Sequence, residues 1–167
     1  MDVIEQLLAN NQSRAQALQG RPADARPRRA IAIVACMDAR LDLFGALGLE
    51  VGDAHVLRNA GGAITDDVIR SLAISQRKLG TREVMLIHHT GCGMTTITDD
   101  GFREELQREA GMAPPFAIES FRDVDADVRQ SILRVRSSPF LPHRDKVRGF
   151  VYDVETHQLR EVAPEPR

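Results

Sequence analysis

Along residues 31–88, short apolar blocks alternate with segments whose apolar positions recur at helical spacing. Ile31–Ala35 is a continuous, β-branched-rich run, the pattern of a strand covered on both faces. Ala54–Arg58 reads as a second strand and Glu83–His88, "EVMLIH", as a third. Between the first two strands, Leu41–Leu47 reads as a short helix closed by Gly48. Between the second and third, Thr65 is placed to cap a helix, with Asp66 and Asp67 at its positive dipole end. Val68, Ile69, Leu72 and Leu79 form the buried stripe of that helix, and Gly80 ends it.

Further on, Phe102–Ala110 reads as a charged helix with a Glu104–Arg108 pair at helical spacing, stopped by Gly111, Pro114 and Pro115. Residues 120–136 are expected to form another helix, with Val124, Val128, Ile132 and Val135 along one side. The segment 147–162 reads as a strand, a turn near Glu155–His157 and a short returning edge strand. Strands separated by helices predict an α/β fold: a mostly parallel central sheet of about four strands plus an antiparallel edge strand, flanked by helices.

At the front of the chain, residues 2–18 read as a helix with Val3, Ile4, Leu7, Leu8 and Leu18 leaning to one side. Pro22 and Pro27 break the pattern that follows. The expected organisation is therefore one domain over 1–167, with a detached helical arm at 1–19 and a linker at 20–29. An apolar stripe on a detached helix needs a surface to cover it, either on a partner subunit or on its own chain.

The length of 167 residues suffices for one full-sized core. A net charge of −2 with no polybasic run argues against nucleic-acid or membrane-surface partners. No apolar segment approaches the roughly 20 residues that cross a bilayer, and the acidic, interrupted start does not read as a signal peptide. The expected location is the cytoplasm. In that reducing compartment a disulfide between Cys36 and Cys92, the two cysteines of the chain, is not expected.

Each cysteine taken alone is accounted for by packing. Their neighbours change the picture. Cys36, Asp38 and Arg40 leave the first strand, and His89 and Cys92 leave the third, at the carboxyl ends where open parallel sheets form their sites. With those strands adjacent, two thiolates and one imidazole converge, a donor set that suits zinc. Three protein ligands leave a coordination position open, as catalytic zinc sites do. Asp38 is the nearby candidate for a conditional fourth ligand, and Arg40 is placed to compete for it.

The joint pattern of C-x-D-x-R after one strand and H-x-x-C after a later one closely resembles the β-class carbonic anhydrases, in particular their compact, short-chain members. The resemblance runs from about Ile31 to Asp100, including "RNAGG" (58–62) and "TDDVIRSLAIS" (65–75), and returns weakly around "VRGFVYDVET". It implies one zinc ion per chain held by Cys36, His89 and Cys92. Asp38 then either caps the metal or pairs with Arg40, where it orients the zinc-bound hydroxide that attacks carbon dioxide. It also implies reversible hydration of carbon dioxide to bicarbonate and a proton, and a homodimer or dimer of dimers. Close relatives hydrolyse carbonyl sulfide or carbon disulfide with the same donor set, so the substrate stays open between these.

The glycines of "RNAGG" are placed to line an anion pocket, with Gly61 and Gly62 contacting bicarbonate. Arg58 either braces the site or bridges to a carboxylate such as Asp66. His88 alternates with His89 and is expected to face the other way as a hydrogen-bonded core histidine. His55, His143 and His157 read as surface or loop residues without partners, and Met37 and Met94 as packing beside the ligands. The chain also departs from the family pattern. Residues 21–35 lack the glutamine that many members carry before the first ligand cysteine, Gly91 replaces a larger residue, and no tryptophan is present.

Two other classes compete. Arg40 lies too close to Cys36 for the phosphate-binding loop of a cysteine phosphatase. A zinc-stabilised binding module would hold Asp38 as a permanent fourth ligand.

Overall fold

The computed structural model describes residues 2–18 and 24–163; Met1 and Gln19 of the expected arm, the first part of the expected linker and residues 164–167 lie outside them. Helix α1 (Val3–Leu18) is followed by β1 (Ile31–Cys36), α2 (Leu43–Leu47), β2 (Ala54–Asn59) and α3 (Asp66–Leu79). Then come β3 (Glu83–His89), α4 (Asp99–Ala110), α5 (Val124–Ser137), β4 (Val147–Tyr152) and β5 (Leu159–Val162). The five strands form one sheet in the order β2-β1-β3-β4-β5, parallel throughout except for the antiparallel pair β4/β5. This is the α/β arrangement that the alternation of apolar patterns predicts.

Adjacency of β1 and β3 is what positions the site. Their parallel register pairs Ile31 with Glu83 and Ala35 with Ile87, so Cys36 and His89 emerge at the same edge of the sheet. Both faces of β1 are covered, because its side chains alternate between two apolar clusters. Ala32 and Val34 pack with Leu72 of α3 and Val128, Ile132 and Val135 of α5. Ile33, Ala35 and Cys36 pack on the opposite face with Leu41, Leu43, Ile87, Cys92 and Tyr152. Cys36 and Cys92 thus belong to a core cluster, and Cys36 sits on the backbone of a buried strand.

Helix ends follow local chemistry. The Thr65 hydroxyl accepts from the Val68 N–H, and Gly80 closes α3 in the left-handed region at φ 80°. Helix α4 starts earlier than expected, at Asp99, because Thr98 caps it. Helix α5 starts later than expected, at Val124 and not at residue 120. Asp123 caps it, while Ser120 is drawn onto the Asp99 carboxylate and the Phe121 N–H donates to the Met94 carbonyl. Tertiary hydrogen bonds therefore keep residues 120–121 out of the helix.

The described end of the linker is tied down. Arg28 and Arg29 donate backbone N–H groups to the carbonyls of Gly52 and Asp53. Helix α1 is different: Val3, Ile4, Leu7 and Leu8 are each 59–69% exposed, and among the described residues none of its side chains joins either apolar cluster. No helix of the described residues is long and apolar enough to cross a membrane.

Candidate metal centre

Cys36 ends β1, His89 ends β3, and Cys92 closes the turn that follows, with Gly91 supplying its bend at φ 60°. One donor atom from each lies within 4.8 Å of the other two, and all three residues are buried. The two sulfurs are 3.9 Å apart. Sulfurs bound tetrahedrally to zinc at about 2.3 Å would stand about 3.8 Å from each other.

The imidazole is oriented for the same purpose. His89 Nδ1 donates to the Thr90 carbonyl at 2.9 Å, which leaves Nε2 as the nitrogen with a free lone pair. Nε2 is buried and has no hydrogen-bond partner among the described residues. A buried lone pair facing two sulfurs is costly unless something electrophilic fills the space. The residues fit a soft or borderline divalent cation, with the fourth direction left to a non-protein ligand.

Electrostatics favours a thiolate at Cys36, whose pKa is lowered to about 4. The Cys92 thiol beside it is the largest cause and opposes the cost of burial; His89 and the backbone N–H groups of Asp38 and Gly61 add to it. Cys92 is pushed up by the same neighbour and by burial, while the Met94 N–H works in the opposite direction. The pair therefore gives up one proton readily, and a cation is what makes loss of the second favourable.

Asp38 sits at the rim and is committed to Arg40. Oδ1 accepts from the Arg40 backbone N–H and from Nε, both at 2.9 Å, and Oδ2 accepts from Nη2 at 2.7 Å. The guanidinium beside it holds the Asp38 carboxyl well below the usual carboxylate range. Arg40 Nη2 also donates to the Gly91 carbonyl at 3.0 Å, joining the turn after β1 to the turn after β3.

Gly61 and Gly62 lie buried beside the centre with φ of 77° and 69°. The Gly61 N–H is directed at the Cys36 sulfur. A Cβ on Gly62 would fall 3.0 Å from the Cys36 backbone nitrogen and 3.1 Å from the Ala35 carbonyl carbon. His88 faces away, 1% exposed, with Nε2 2.7 Å from Asp127 of α5, as its alternation with His89 predicts.

Several expectations need correction. Arg58 does not bridge to Asp66; its guanidinium donates to three backbone carbonyls. His55 has partners, with Nδ1 on the Ser75 hydroxyl and Nε2 on the Ala25 carbonyl, and His157 hydrogen-bonds the Tyr152 hydroxyl. Met94 packs against the centre as expected, but Met37 is 64% exposed because its residue turns outward after β1. Thr90 was not singled out from sequence, yet it accepts from His89, donates its N–H to Tyr152 O and takes the Val154 N–H on its hydroxyl. A threonine directly after a ligand histidine is too common a pair to have signalled this.

Comparison with known proteins places this geometry among relatives. The carbonic anhydrase family model matches residues 31–113. The chain is 54% identical over 164 residues to beta-carbonic anhydrase 1 of Mycobacterium tuberculosis, covering 98% of this chain and all of that one. It is 35% identical over 153 residues to a carbon disulfide hydrolase of Acidithiobacillus thiooxidans, covering 79% of this chain and 76% of that one. A crystal structure of carbonic anhydrase from Streptococcus mutans superposes with a TM-score of 0.90 at 41% identity, covering 98% of this chain and 99% of that one.

Proposed function

This chain belongs to the β-carbonic anhydrase family, and from that premise we propose that it catalyses the zinc-dependent, reversible hydration of carbon dioxide to bicarbonate and a proton. The observation that carries the reading is the trio of buried donor atoms with Asp38 held off by Arg40. Zinc held by Cys36, His89 and Cys92 would supply the Lewis acidity that makes water nucleophilic.

The chain's own groups do the rest. Asp38 keeps a carboxylate oxygen at the rim, where it accepts a hydrogen bond from the attacking nucleophile and aims a lone pair at carbon. Arg40 holds Asp38 in that position through a bidentate, charge-assisted pair. Thr90 fixes the His89 tautomer. Gly61 and Gly62, with no side chain between backbone and centre, form the wall against which the anionic product rests. The same Asp38–Arg40 pairing argues against a binding module that keeps Asp38 as a permanent ligand.

A second reading rests on a specific observation, the identity to proteins named carbon disulfide hydrolase. Under it the same nucleophile attacks carbonyl sulfide or carbon disulfide, and pocket access decides the substrate. The assembly is proposed to be a homodimer or dimer of dimers in the cytoplasm, with the exposed apolar stripe of α1 covered by a partner copy.

One experiment tests both readings. Metal is quantified on purified protein, and stopped-flow hydration of carbon dioxide is compared with hydrolysis of carbonyl sulfide and carbon disulfide on the same sample. About one zinc per chain with fast hydration, lost on chelation and restored by zinc, is the expected outcome. Metal-free protein of full activity would overturn the zinc reading, and a preference for the sulfur substrates would select the second.

A further inference from the structure

The turn from Cys36 to Leu41 carries one metal-ligand candidate and both members of the Asp38–Arg40 pair, whose bonds to each other tie the Asp38 carboxylate to Arg40 but leave most of the turn's carbonyls unserved. Within the turn the Leu41 N–H donates to the Asp38 carbonyl at 3.1 Å and the Arg40 N–H to the Asp38 carboxylate at 2.9 Å, while the Met37 N–H reaches the Asn59 carbonyl of β2 at 2.8 Å. Cys36 is the last β1 residue in register with β2, opposite Asn59, and the carbonyls of Asp38 and Leu41 lie past the end of that ladder.

One side chain serves these groups. Arg58, on β2 opposite Ala35, donates Nε to the Cys36 carbonyl at 2.9 Å, Nη1 to the Leu41 carbonyl at 3.2 Å and Nη2 to the Asp38 carbonyl at 2.7 Å. The three contacts come from three different nitrogens of a planar, rigid fork, so they fix the relative positions of the first, third and last residues of the turn. A lysine has a single nitrogen on a flexible stem and cannot reproduce this spacing.

We infer that Arg58 is a positioning residue, setting the Cys36–Leu41 turn so that Asp38 faces Arg40 and not the metal position. The inference rests on the zinc reading above. Asp38 has a second place to go: its Oδ2 is 3.7 Å from His89 Nε2, the nitrogen that faces the metal position. With the Asp38 carbonyl anchored, the carboxylate is presented to the Arg40 guanidinium. With the anchor gone, the backbone rotates and the carboxylate reaches the metal as a fourth ligand, which closes the site.

The test compares wild type with Arg58→Gln, Arg58→Lys, Asp38→Ala and Asp38→Ala/Arg58→Gln. Zinc content, melting temperature, hydration kinetics and the visible spectrum of the cobalt(II)-substituted proteins are measured. The expected result for Arg58→Gln is a loss of roughly 10- to 100-fold in kcat, the range of residues that orient metal ligands. Its zinc content stays that of wild type, and its cobalt spectrum changes as a protein carboxylate enters the coordination sphere. Arg58→Lys falls between the two. In the Asp38→Ala background, Arg58→Gln leaves the cobalt spectrum unaltered, because the group that would move is absent.

The inference is overturned if Arg58→Gln retains the wild-type rate and spectrum. It is equally overturned if the spectrum changes to the same extent with and without Asp38, or if activity falls only in proportion to folded protein. Should Arg58→Gln fail to fold, Arg58→Lys, which keeps the charge, carries the same cycle and the same outcomes. Failure of the zinc reading appears separately, in wild type that holds no metal or hydrates no carbon dioxide.

Discussion

Asp38 Oδ2 stands 3.7 Å from His89 Nε2 and 2.7 Å from Arg40 Nη2. One carboxylate oxygen is thus within reach of the metal-facing nitrogen but bonded to the guanidinium. The Asp38 side chain is 19% exposed and that of Arg40 51%, so solvent screens the pair from the arginine side and its two-point geometry, more than burial, holds it. The arrangement leaves one coordination direction free while keeping an acceptor beside it.

Asp38→Ala is therefore expected to retain zinc, because Cys36, His89 and Cys92 are untouched, while losing most of its turnover. A positioned hydrogen-bond partner of this kind contributes on the order of 10²- to 10³-fold. Stopped-flow hydration together with metal analysis on the same sample checks it. Wild-type rates at every pH would remove Asp38 from the mechanism.

The donor set also predicts the pH profile. Two thiolates offset the charge of a divalent cation more fully than neutral imidazoles do, so the water that zinc activates gives up its proton less readily. A three-histidine carbonic anhydrase site brings that pKa to about 7, a value belonging to a different donor set. Hydration by this chain is expected to rise from neutral to alkaline pH, as measured by initial rates across that range. A flat profile would contradict the assignment of two sulfur ligands.

The strands, the Thr65 and Gly80 helix ends and the metal-ligand candidates were legible in the sequence because each is a local property. Apolar runs, capping chemistry and donor types do not depend on distant residues. Between the two readings of Arg58, bracing the site and bridging to a carboxylate, the sequence offered no choice: three carbonyls converge on it only once β1 and β2 are in register. The start of α5 was missed for the same reason, since Asp99 holds Ser120 from 21 residues away. His55 and His157 looked unpartnered because Ser75 and Tyr152 reach them through the fold. Helix α1 leaves Val3, Ile4, Leu7 and Leu8 exposed, and what covers them is not encoded in its own pattern.

Gly62→Ala tests how tightly the centre is built into the sheet. The added Cβ would meet the backbone of Cys36 at 3.0 Å and of Ala35 at 3.1 Å, and the residue would have to hold a φ of 69°. Backbone cannot rotate aside as a side chain can, so β1 must shift. A loss of about 1–3 kcal/mol is expected from overpacking, with weaker zinc retention because Cys36 moves. Denaturant melts and a zinc-chelator competition measure the two effects. An unchanged melt with unchanged zinc retention would show that the turn has room to yield.

The opposite end of β1 carries a pH-dependent anchor. Asp53 is 5% exposed; its carboxylate accepts from the Glu50 N–H at 2.9 Å and from Arg28 Nε at 3.0 Å, and forms an ion pair with Arg29 Nε at 3.2 Å. The Glu50 N–H is the largest cause of its lowered pKa; burial opposes it, and the two arginines reinforce it. A carboxyl whose folded pKa is depressed stabilises the fold in its charged form. That contribution is fully present above the unfolded value of about 3.9 and is lost as the pH falls through the lower folded value. Melting temperatures of wild type and Asp53→Asn should therefore differ most near neutral pH, with wild type higher. The gap should narrow below about pH 4, where the unfolded carboxyl begins to take up its proton. Parallel curves down to the acid limit would mean that Asp53 holds the Arg28–Arg29 segment through shape alone and not through its charge.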